Sequence, residues 1–168
     1  MIKIVPISIE HIAGYHFALD IVAKEKKYLA WFKAPPIETT REFVKKNIEN
    51  GVSQFVALDG TKVIGWCDIC PSNKPAFAHA GTLGMALIPE YRGRGIGKEL
   101  LLTTLKKAKA NGIERVELLV YKSNDVAKTM YEKIGFKVEG IRHKAMKIDG
   151  KYYDDYIMAL FLDEIELF

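Results

Sequence analysis

Cysteine, long apolar runs and net charge are all scarce in this chain. Its 168 residues include 2 cysteines, too few for a disulfide framework. No stretch approaches the roughly 18 apolar residues that cross a membrane, and the opening segment is too short for the apolar part of a signal peptide. These absences argue against a disulfide-rich secreted domain and a membrane protein. We therefore expect a cytoplasmic protein that contacts no membrane.

Charge of one sign is also lacking. The net charge is only +4, from 25 Lys and Arg against 21 Asp and Glu, and the basic residues are spread along the chain. A nucleic-acid surface needs them concentrated, so no nucleic-acid partner is expected. Apolar residues are plentiful, at 49% of the chain, and can form a sizeable core. The length predicts a single domain over residues 1–168.

The two cysteines have the spacing of a redox pair, because Cys67 and Cys70 are three positions apart. A redox thiol needs a helix N-terminus, whereas Pro71 begins a turn and the residues before Cys67 are typical of a strand. Strand residues three apart point to opposite faces, so the sulfurs do not meet. We predict two ordinary thiols. The histidines lack metal-ligand spacing, and no metal site is expected.

Periodicity and turn signals predict alternating strands and helices. A strand at Ile2–Val5 precedes a helix that Ser8 caps, with Phe17 on its apolar face, and a capping box of Thr39 and Glu42 opens a second helix. Of two later predicted helices, one begins at Ile96 and stops at Asn111-Gly112, and the other begins at Ser123 or Asn124 and ends at Gly135. Further strands are predicted at Ser53–Leu58, Lys62–Ile69, His79–Ile88, Arg115–Tyr121, Phe136–Ile148 and Tyr152–Phe161. Aspartate-glycine turns between neighbouring strands indicate antiparallel hairpins.

The most informative segment joins a strand end to a helix start and alternates glycine with cations. Glycines let the backbone adopt positive φ and approach a ligand closely, and the first helical turn then directs N–H groups and the helix dipole at an anion. Arginines add charge-assisted hydrogen bonds. The segment therefore predicts a phosphate cradle. Its key residues are Arg92, Gly93, Arg94, Gly95 and Gly97.

The spacing excludes two common phosphate motifs. A Walker A loop requires glycine where Arg92 stands and Ser or Thr where Glu99 stands. A dinucleotide fingerprint requires glycine in place of Lys98, within a unit of parallel strands rather than hairpins. NTP hydrolysis and nicotinamide chemistry are therefore disfavoured.

The order of Arg92, Gly95 and Gly97 at a strand-to-helix junction resembles the acyl-CoA pyrophosphate motif of the GNAT superfamily of N-acetyltransferases. The likeness extends to the helix that carries Asn124 and Tyr131 and to the final hairpin, nearly the whole chain. It implies an α/β fold with a mixed, mostly antiparallel twisted sheet of about six to seven strands, flanked by about four helices.

The resemblance implies acetyl-CoA as co-substrate, lying between two splayed strands. The strand before the loop would bind the pantetheine, and the loop amides would hold the pyrophosphate. Asn124 would contact the pantetheine or the adenosine end, although a helix cap is an equal interpretation of this residue. The implied cofactor-binding residues are Met85, Leu87, Ile88, Arg92, Gly93, Arg94, Gly95, Ile96, Gly97, Lys98 and Asn124.

Tyr131 stands where the family often has a tyrosine that protonates the departing thiolate. A phenol of pKa ~10 stays protonated near neutrality; the alternative is a core aromatic. The amine must also lose a proton, but Thr82 occupies the position of the family's frequent glutamate and cannot act as a base. His79 could serve through water, yet a plain surface residue is the better interpretation, and the base stays unassigned.

The acceptor pocket implied by the resemblance lies between the first two helices and the last hairpin. Its expected residues are Tyr28, Trp31, Phe32 and Asp154, since aromatic rings and a carboxylate bind a cationic amine. Asp154 and Asp155 point to opposite faces of a strand, so only one of them addresses the pocket.

The expected function is acetyl transfer from acetyl-CoA to a primary amine of a small molecule, by direct attack in a ternary complex. One alternative is acetylation of the N-terminal α-amine of a ribosomal protein, and another is a catalytically silent acyl-CoA-binding module. A homodimer is common in proteins of this kind, and the oligomeric state stays open.

Overall fold

Seven strands form a single sheet in the computed structural model, which describes residues 1–167. The order across the sheet is β1-β2-β3-β4-β5-β7-β6, and every neighbouring pair is antiparallel except β4 with β5. This confirms the predicted mixed, mostly antiparallel sheet. The strands are β1 (Ile2–Pro6), β2 (Ser53–Asp59), β3 (Lys62–Pro71), β4 (Ala80–Leu87), β5 (Arg115–Tyr121), β6 (Lys137–Ile148) and β7 (Lys151–Phe161).

Helices pack on both faces of the sheet. Asn47 of α2 donates to Gln54 on β2, whereas the adjacent Ser53 donates to the carbonyl of Thr104 on α3. Neighbouring strand residues point to opposite faces, so α2 and α3 lie on opposite sides. The helices are α1 (Ile12–Lys24), α2 (Ile37–Glu49), α3 (Ile96–Ala110) and α4 (Asp125–Ile134). Within residues 1–167, no helix is long and apolar enough to cross a membrane.

The predicted start of the second helix was wrong, whereas Ser8 is the N-cap of the first helical segment, as predicted. α2 begins at Ile37 rather than at a Thr39 cap, because the carbonyl of Pro36 already accepts the N–H groups of Thr39 and Thr40. Ser8 precedes a short 3-10 turn that leads into α1. Phe17 is 61% exposed.

The buried stripe of α1 explains the exposure of Phe17. Its members are Ile12, Tyr15, Ala18, Val22 and Ala23. At 3.6 residues per turn, Phe17 lies on the side of α1 opposite this stripe.

The strand β3 contains both cysteines, because it extends two residues beyond the predicted end at Ile69. Cys67 is buried, Cys70 is partly buried, and both are free. They project from opposite faces of the strand, and burial raises the pKa of each thiol, that of Cys70 to about 12. Such thiols are unreactive at neutral pH.

Candidate functional site

The two central strands separate and leave a cleft. β4 and β5 pair in parallel only where Ala80–Thr82 faces Arg115–Glu117. Beyond this point β4 stays paired with β3 as far as Leu87, and β5 stays paired with β7 as far as Tyr121. The strands therefore diverge, and we call the space between their unpaired ends the cleft.

Backbone groups of β4 face this cleft. The N–H of Ile88 donates to the carbonyl of Ile64 at 2.9 Å, and hydrogen-bonding direction alternates along an antiparallel strand. Met85 and Leu87 therefore direct their backbone groups away from β3 and into the cleft. The Leu87 carbonyl already accepts Arg92 Nε at 2.9 Å, so the groups of Met85 and the N–H of Leu87 remain for a ligand. The N–H of Ile88 is used in the bond to Ile64, so Ile88 offers no donor to a ligand.

The opposite wall comes from β5, which sequence analysis did not anticipate. The N–H of Lys122 donates to the carbonyl of Asp154 at 2.9 Å, so by the same alternation Leu119 and Tyr121 direct their backbone groups away from β7 and toward the cleft. The Tyr121 carbonyl already accepts the Asn124 N–H at 2.8 Å. Leu119 is also 52% exposed. Only the register of the sheet identifies this wall, because the strand itself is an ordinary apolar run.

The glycine-rich loop ends at the start of α3, next to the cleft. Gly93 has φ 74° and Gly95 has φ 80°, backbone that favours glycine. The first hydrogen bond into α3 runs from the Glu99 N–H to the Gly95 carbonyl. In the part of the chain described, the six N–H groups of residues 93–98 have no backbone acceptor. Unpartnered amides at a helix N-terminus form an anion site.

The Arg92 side chain has a different task from the one expected. Its guanidinium binds both carboxylate oxygens of Glu25, one of them at 2.9 Å, and lies 4.7 Å from the centre of the Tyr28 ring. The hydrogen bonds that Arg92 donates to Glu25 raise the pKa of Arg92. Because Arg92 also donates to the Leu87 carbonyl, its side chain fixes the loop to the end of α1. Arg94 stays exposed beside the unpartnered amides.

Residues 25–36, which we call the roof segment, lie across the cleft on the α1 side. At one end Glu25 binds Arg92. The carbonyl of Leu29 accepts the hydroxyl of Tyr121 at 2.8 Å, and Lys26 pairs with Asp149 in the final hairpin at 3.0 Å. The segment therefore reaches from the loop after β4 to the end of β5 and to the hairpin.

The structure places the expected aromatic residues in this roof segment. Tyr28, Trp31 and Phe32 all retain exposed surface. Tyr28 lies against Arg92, and Phe32 lies 5.4 Å from the ammonium of Lys26. Their role in binding an acceptor stays a prediction.

Asp154 was expected in the acceptor pocket, but its side chain binds residues of β6 instead. Its carboxylate accepts the Lys144 N–H at 2.9 Å and contacts His143, and these bonds lower its pKa while holding a bulge in β6. The neighbouring Asp155 lies opposite Tyr121 in the sheet and hence on the roof side. Asp155 is buried and bound by Arg142 at 2.8 Å. The roof-side carboxylate is therefore Asp155.

Helix α4 lies on the opposite side of the sheet. Asn124 caps it, because its Oδ1 accepts the Ala127 N–H at 3.2 Å, which confirms the capping interpretation. Tyr131 is 7% exposed and packs against Phe136. Burial, and secondarily Cys67, raises the pKa of Tyr131, so the phenol stays protonated. Cys67 is the register partner of Met85, which places this phenol beside the β4 wall.

A buried carboxylate near the cleft was missed by the sequence analysis. Asp68 on β3 lies opposite Gly84 on β4, and burial raises its pKa to about 7. The available signal was an aspartate inside an otherwise apolar strand. Thr82 and His79 have exposed side chains. No group of three His, Cys, Asp or Glu side chains among residues 1–167 is arranged to hold a metal.

Comparison with known proteins places this arrangement in context. The model of the acetyltransferase (GNAT) family matches residues 20–136. An L-amino acid N-acetyltransferase of Escherichia coli is 29% identical over 110 residues, 65% of this chain and 68% of that protein. A ribosomal protein bS18-alanine N-acetyltransferase of Haemophilus influenzae is 32% identical over 106 residues, 62% and 69% of the two chains. The fold matches Salmonella typhimurium yncA, solved with its cofactor acetyl-CoA, with TM-score 0.92, 16% identity and coverage of 99% and 96%.

Proposed function

We propose, from the premise that this chain belongs to the acetyltransferase (GNAT) family, that it transfers the acetyl group of acetyl-CoA to a primary amine of a small molecule. Membership makes it an acetyl-CoA-dependent acyltransferase. The observation that carries the finer proposal is the cleft between β4 and β5, which ends at a free helix N-terminus and is covered by the roof segment. A covered cleft favours a small acceptor over a polypeptide.

The residues present fit acetyl-CoA. The amides of residues 93–98 would hold the diphosphate, and the backbone of Met85 and Leu87 would bind the pantetheine arm as an added strand edge does. Arg92 would position this loop through Glu25. The amide nitrogen of Asn124 is the part of that side chain left for a ligand, since its oxygen caps α4.

The acceptor would enter beneath the roof segment. Tyr28, Trp31 and Phe32 offer ring faces to a cationic amine, and Asp155 supplies negative charge that Arg142 partly balances. From this side the amine would reach the acetyl group directly while both substrates are bound. This supports a ternary complex without a covalent enzyme intermediate.

Tyr131 would act on the leaving sulfur from the other side of the sheet. Its raised pKa keeps the hydroxyl protonated but makes it a weaker acid. We therefore assign it chiefly as a hydrogen-bond donor to the charge that develops on sulfur, an effect of the kind seen in oxyanion holes.

A protein N-terminus is the second candidate acceptor. The Haemophilus influenzae relative is named for acetylating ribosomal protein bS18, and the exposed rings of Trp31 and Phe32 could contact a peptide. An α-amine is less basic than a lysine amine and is more easily deprotonated. A peptide acceptor would require the roof segment to move aside.

A panel of acceptors separates these functions. We expect thiol release from acetyl-CoA to depend on an added small amine, with amino acids and polyamines outperforming alanine-initiated peptides by at least about tenfold in kcat/KM. Preference for the peptides would establish the second candidate. Tight binding of acetyl-CoA without acceptor-dependent release across the panel would establish a silent binding module.

Charge reversal at the two ends of α3 tests the diphosphate site. Lys98→Glu puts a carboxylate in the first turn, where it favours the helix by about 0.3–1 kcal/mol but repels a bound diphosphate. We expect unchanged or higher thermal stability and roughly tenfold weaker acetyl-CoA binding. Lys107→Glu makes the same charge change in the last turn and should leave binding within about twofold. Equal binding losses in both variants would refute this site.

Three broader expectations stay predictions. We propose that residues 1–168 form one acetyltransferase domain, since the sheet uses strands from Ile2 to Phe161. A cytoplasmic location and a homodimer are likewise carried forward from the sequence.

A further inference from the structure

Asp68 is a buried carboxylate without a cationic partner. It is 8% exposed, and among residues 1–167 its side chain has a single hydrogen bond, from the Cys70 thiol at 3.6 Å. No ion pair of the described chain includes Asp68. Burying an unpaired carboxylate costs stability. Such a group next to a cleft is therefore a candidate for function rather than for structure.

The position of Asp68 is tied to a glycine on the next strand. Gly84 is its register partner on β4, two residues beyond the last point where β4 pairs with β5. A Cβ added at Gly84 would lie 3.4 Å from Asp68 Oδ1. Paired strands are about 4.8 Å apart, so this carboxylate is one strand spacing from the cleft. Because Gly84 has no side chain, no Cβ stands between the carboxylate and the cleft edge of β4.

Asp68 also faces the acceptor side of the sheet. Trp66, two residues earlier and on the same face, packs against Tyr15 of α1 with ring centres 5.4 Å apart. Gln54, its partner on β2, accepts from Asn47 of α2 at 2.9 Å. The carboxylate therefore lies under α1 and α2, the side that carries the roof segment.

Two buried polar atoms without a partner in residues 1–167 lie on the α2 side of the sheet, one of them on Gln54, the register partner of Asp68. Within the described chain, Gln54 Nε2 and Thr40 Oγ1 are buried and have no protein hydrogen-bond partner. Buried polar atoms of this kind are normally satisfied by water. A water held there could carry a proton to Asp68 from an amine in the cleft.

We propose that Asp68 is the proton acceptor for the attacking amine, replacing from β3 the carboxylate that Thr82 does not supply on β4, with Gly84 placing no side chain between Asp68 and the cleft. This inference rests on the proposed function. Asp68 and Gly84 lie opposite each other on adjacent strands. The cleft therefore has a proton acceptor on β3 although β4 carries no acidic side chain.

The proton and electron balance is complete. The ammonium form of the acceptor gives one proton through water to Asp68, which later passes it to solvent. The nitrogen lone pair then forms the C–N bond to the acetyl carbon, and the C–S bond breaks with its electron pair going to sulfur. The second proton from nitrogen goes to solvent, and the sulfur takes up one proton. The products are the N-acetyl amine, the free thiol and one released proton.

The electrostatic surroundings suit this task. Burial raises the pKa of Asp68 to about 7, and the Cys70 thiol opposes that rise by donating a hydrogen bond. The titratable groups nearby are Tyr15 from α1 and Cys67 and Cys70 on its own strand, all with raised pKa values and therefore neutral near pH 7. The neighbours on α2, β2 and β4 are neutral. One titration near pH 7 is therefore expected.

The first test compares rate against pH for the wild type and Asp68→Asn. We expect the wild-type kcat to fall below about pH 7, as the carboxylate takes up a proton. Asp68→Asn should lower kcat at pH 8 about a hundredfold and lose this acidic limb, with acetyl-CoA binding unchanged. An equal rate and an equal pH profile in Asp68→Asn would overturn the proposal.

Cys70→Ala provides a second test, which distinguishes a catalytic role of Asp68 from a purely structural one. Removing the thiol takes away the hydrogen bond that lowers the pKa of Asp68, so the acidic limb should move to higher pH while kcat at pH 9 stays within about twofold. An unmoved limb contradicts the proposal even if Asp68→Asn does not fold.

A carboxyl-labelled ¹³C NMR titration gives a readout independent of activity. We expect one aspartate signal to titrate near pH 7 and to be absent in Asp68→Asn; no such signal overturns the proposal. Lack of turnover by the wild type with every amine would refute the proposed function and, with it, this inference. Normal turnover with no effect of either variant refutes the inference alone.

Discussion

Tyr131→Phe should reduce kcat about a hundredfold while acetyl-CoA binding stays within about twofold of the wild type. The substitution removes one hydroxyl and leaves the ring against Phe136, so packing is preserved. Loss of one donor to developing charge in a buried site costs about 10²–10³ in rate. Single-turnover kinetics would show the loss in the chemical step, and calorimetry would show the retained binding.

Tyr156→Phe is the matched control for this prediction. Tyr156 is a partly buried phenol on β7 whose ring lies 5.3 Å from the Lys128 ammonium. It has no place in the proposed site, so its kcat should stay within about twofold. Equal kcat values for Tyr131→Phe and the wild type, with the chemical step limiting, would remove Tyr131 from the mechanism.

Asp68→Asn should make the protein more stable at pH 8 by up to about 4 kcal/mol. Folding raises the pKa of Asp68 from 3.8 to about 7, roughly three powers of ten in proton affinity and about 1.4 kcal/mol for each. Because the folded state binds this proton more tightly, wild-type stability is fully present below about pH 4 and declines up to about pH 7. The amide introduced by Asp68→Asn does not ionise, so the stability of the variant does not decline over this pH range.

Denaturant unfolding at pH 5 and pH 8 measures the effect directly. The advantage of Asp68→Asn over the wild type should be larger at pH 8, and the same variant should be catalytically impaired. Asp155→Asn is the control with the opposite sign, because Asp155 is held by Arg142, and losing a hydrogen bond between charged groups costs about 1.5–3 kcal/mol. A pH-independent difference for Asp68→Asn would contradict a raised pKa.

The fold and the phosphate loop could be predicted from local patterns. Strand runs, aspartate-glycine turns and the glycines after Pro89 act over a few residues, and the seven-stranded sheet confirms the expected architecture. The helix starts were less predictable. The Pro36 carbonyl competes with Thr39 for the role of cap, and sequence spacing does not show which of the two wins.

The contacts that shape the site could not be predicted because they join distant parts of the chain. Arg92 lies beside glycines and was expected to face a phosphate, yet Glu25, 67 positions away, binds it. Asp154 and Asp155 alternate by strand geometry, but only the register with Tyr121 shows which of them faces the roof segment. The position of Asp68 opposite Gly84 depends on the register between β3 and β4, which the local sequence does not show.

The central claim is that the amides at the start of α3 bind the diphosphate of coenzyme A. Isothermal titration calorimetry of the folded protein with acetyl-CoA, coenzyme A and pantetheine tests it most directly. The account predicts that both diphosphate-containing ligands bind and that pantetheine binds at least about tenfold more weakly, a difference of about 1.4 kcal/mol. No heat of binding from acetyl-CoA or coenzyme A, or equal affinity for pantetheine, would contradict it.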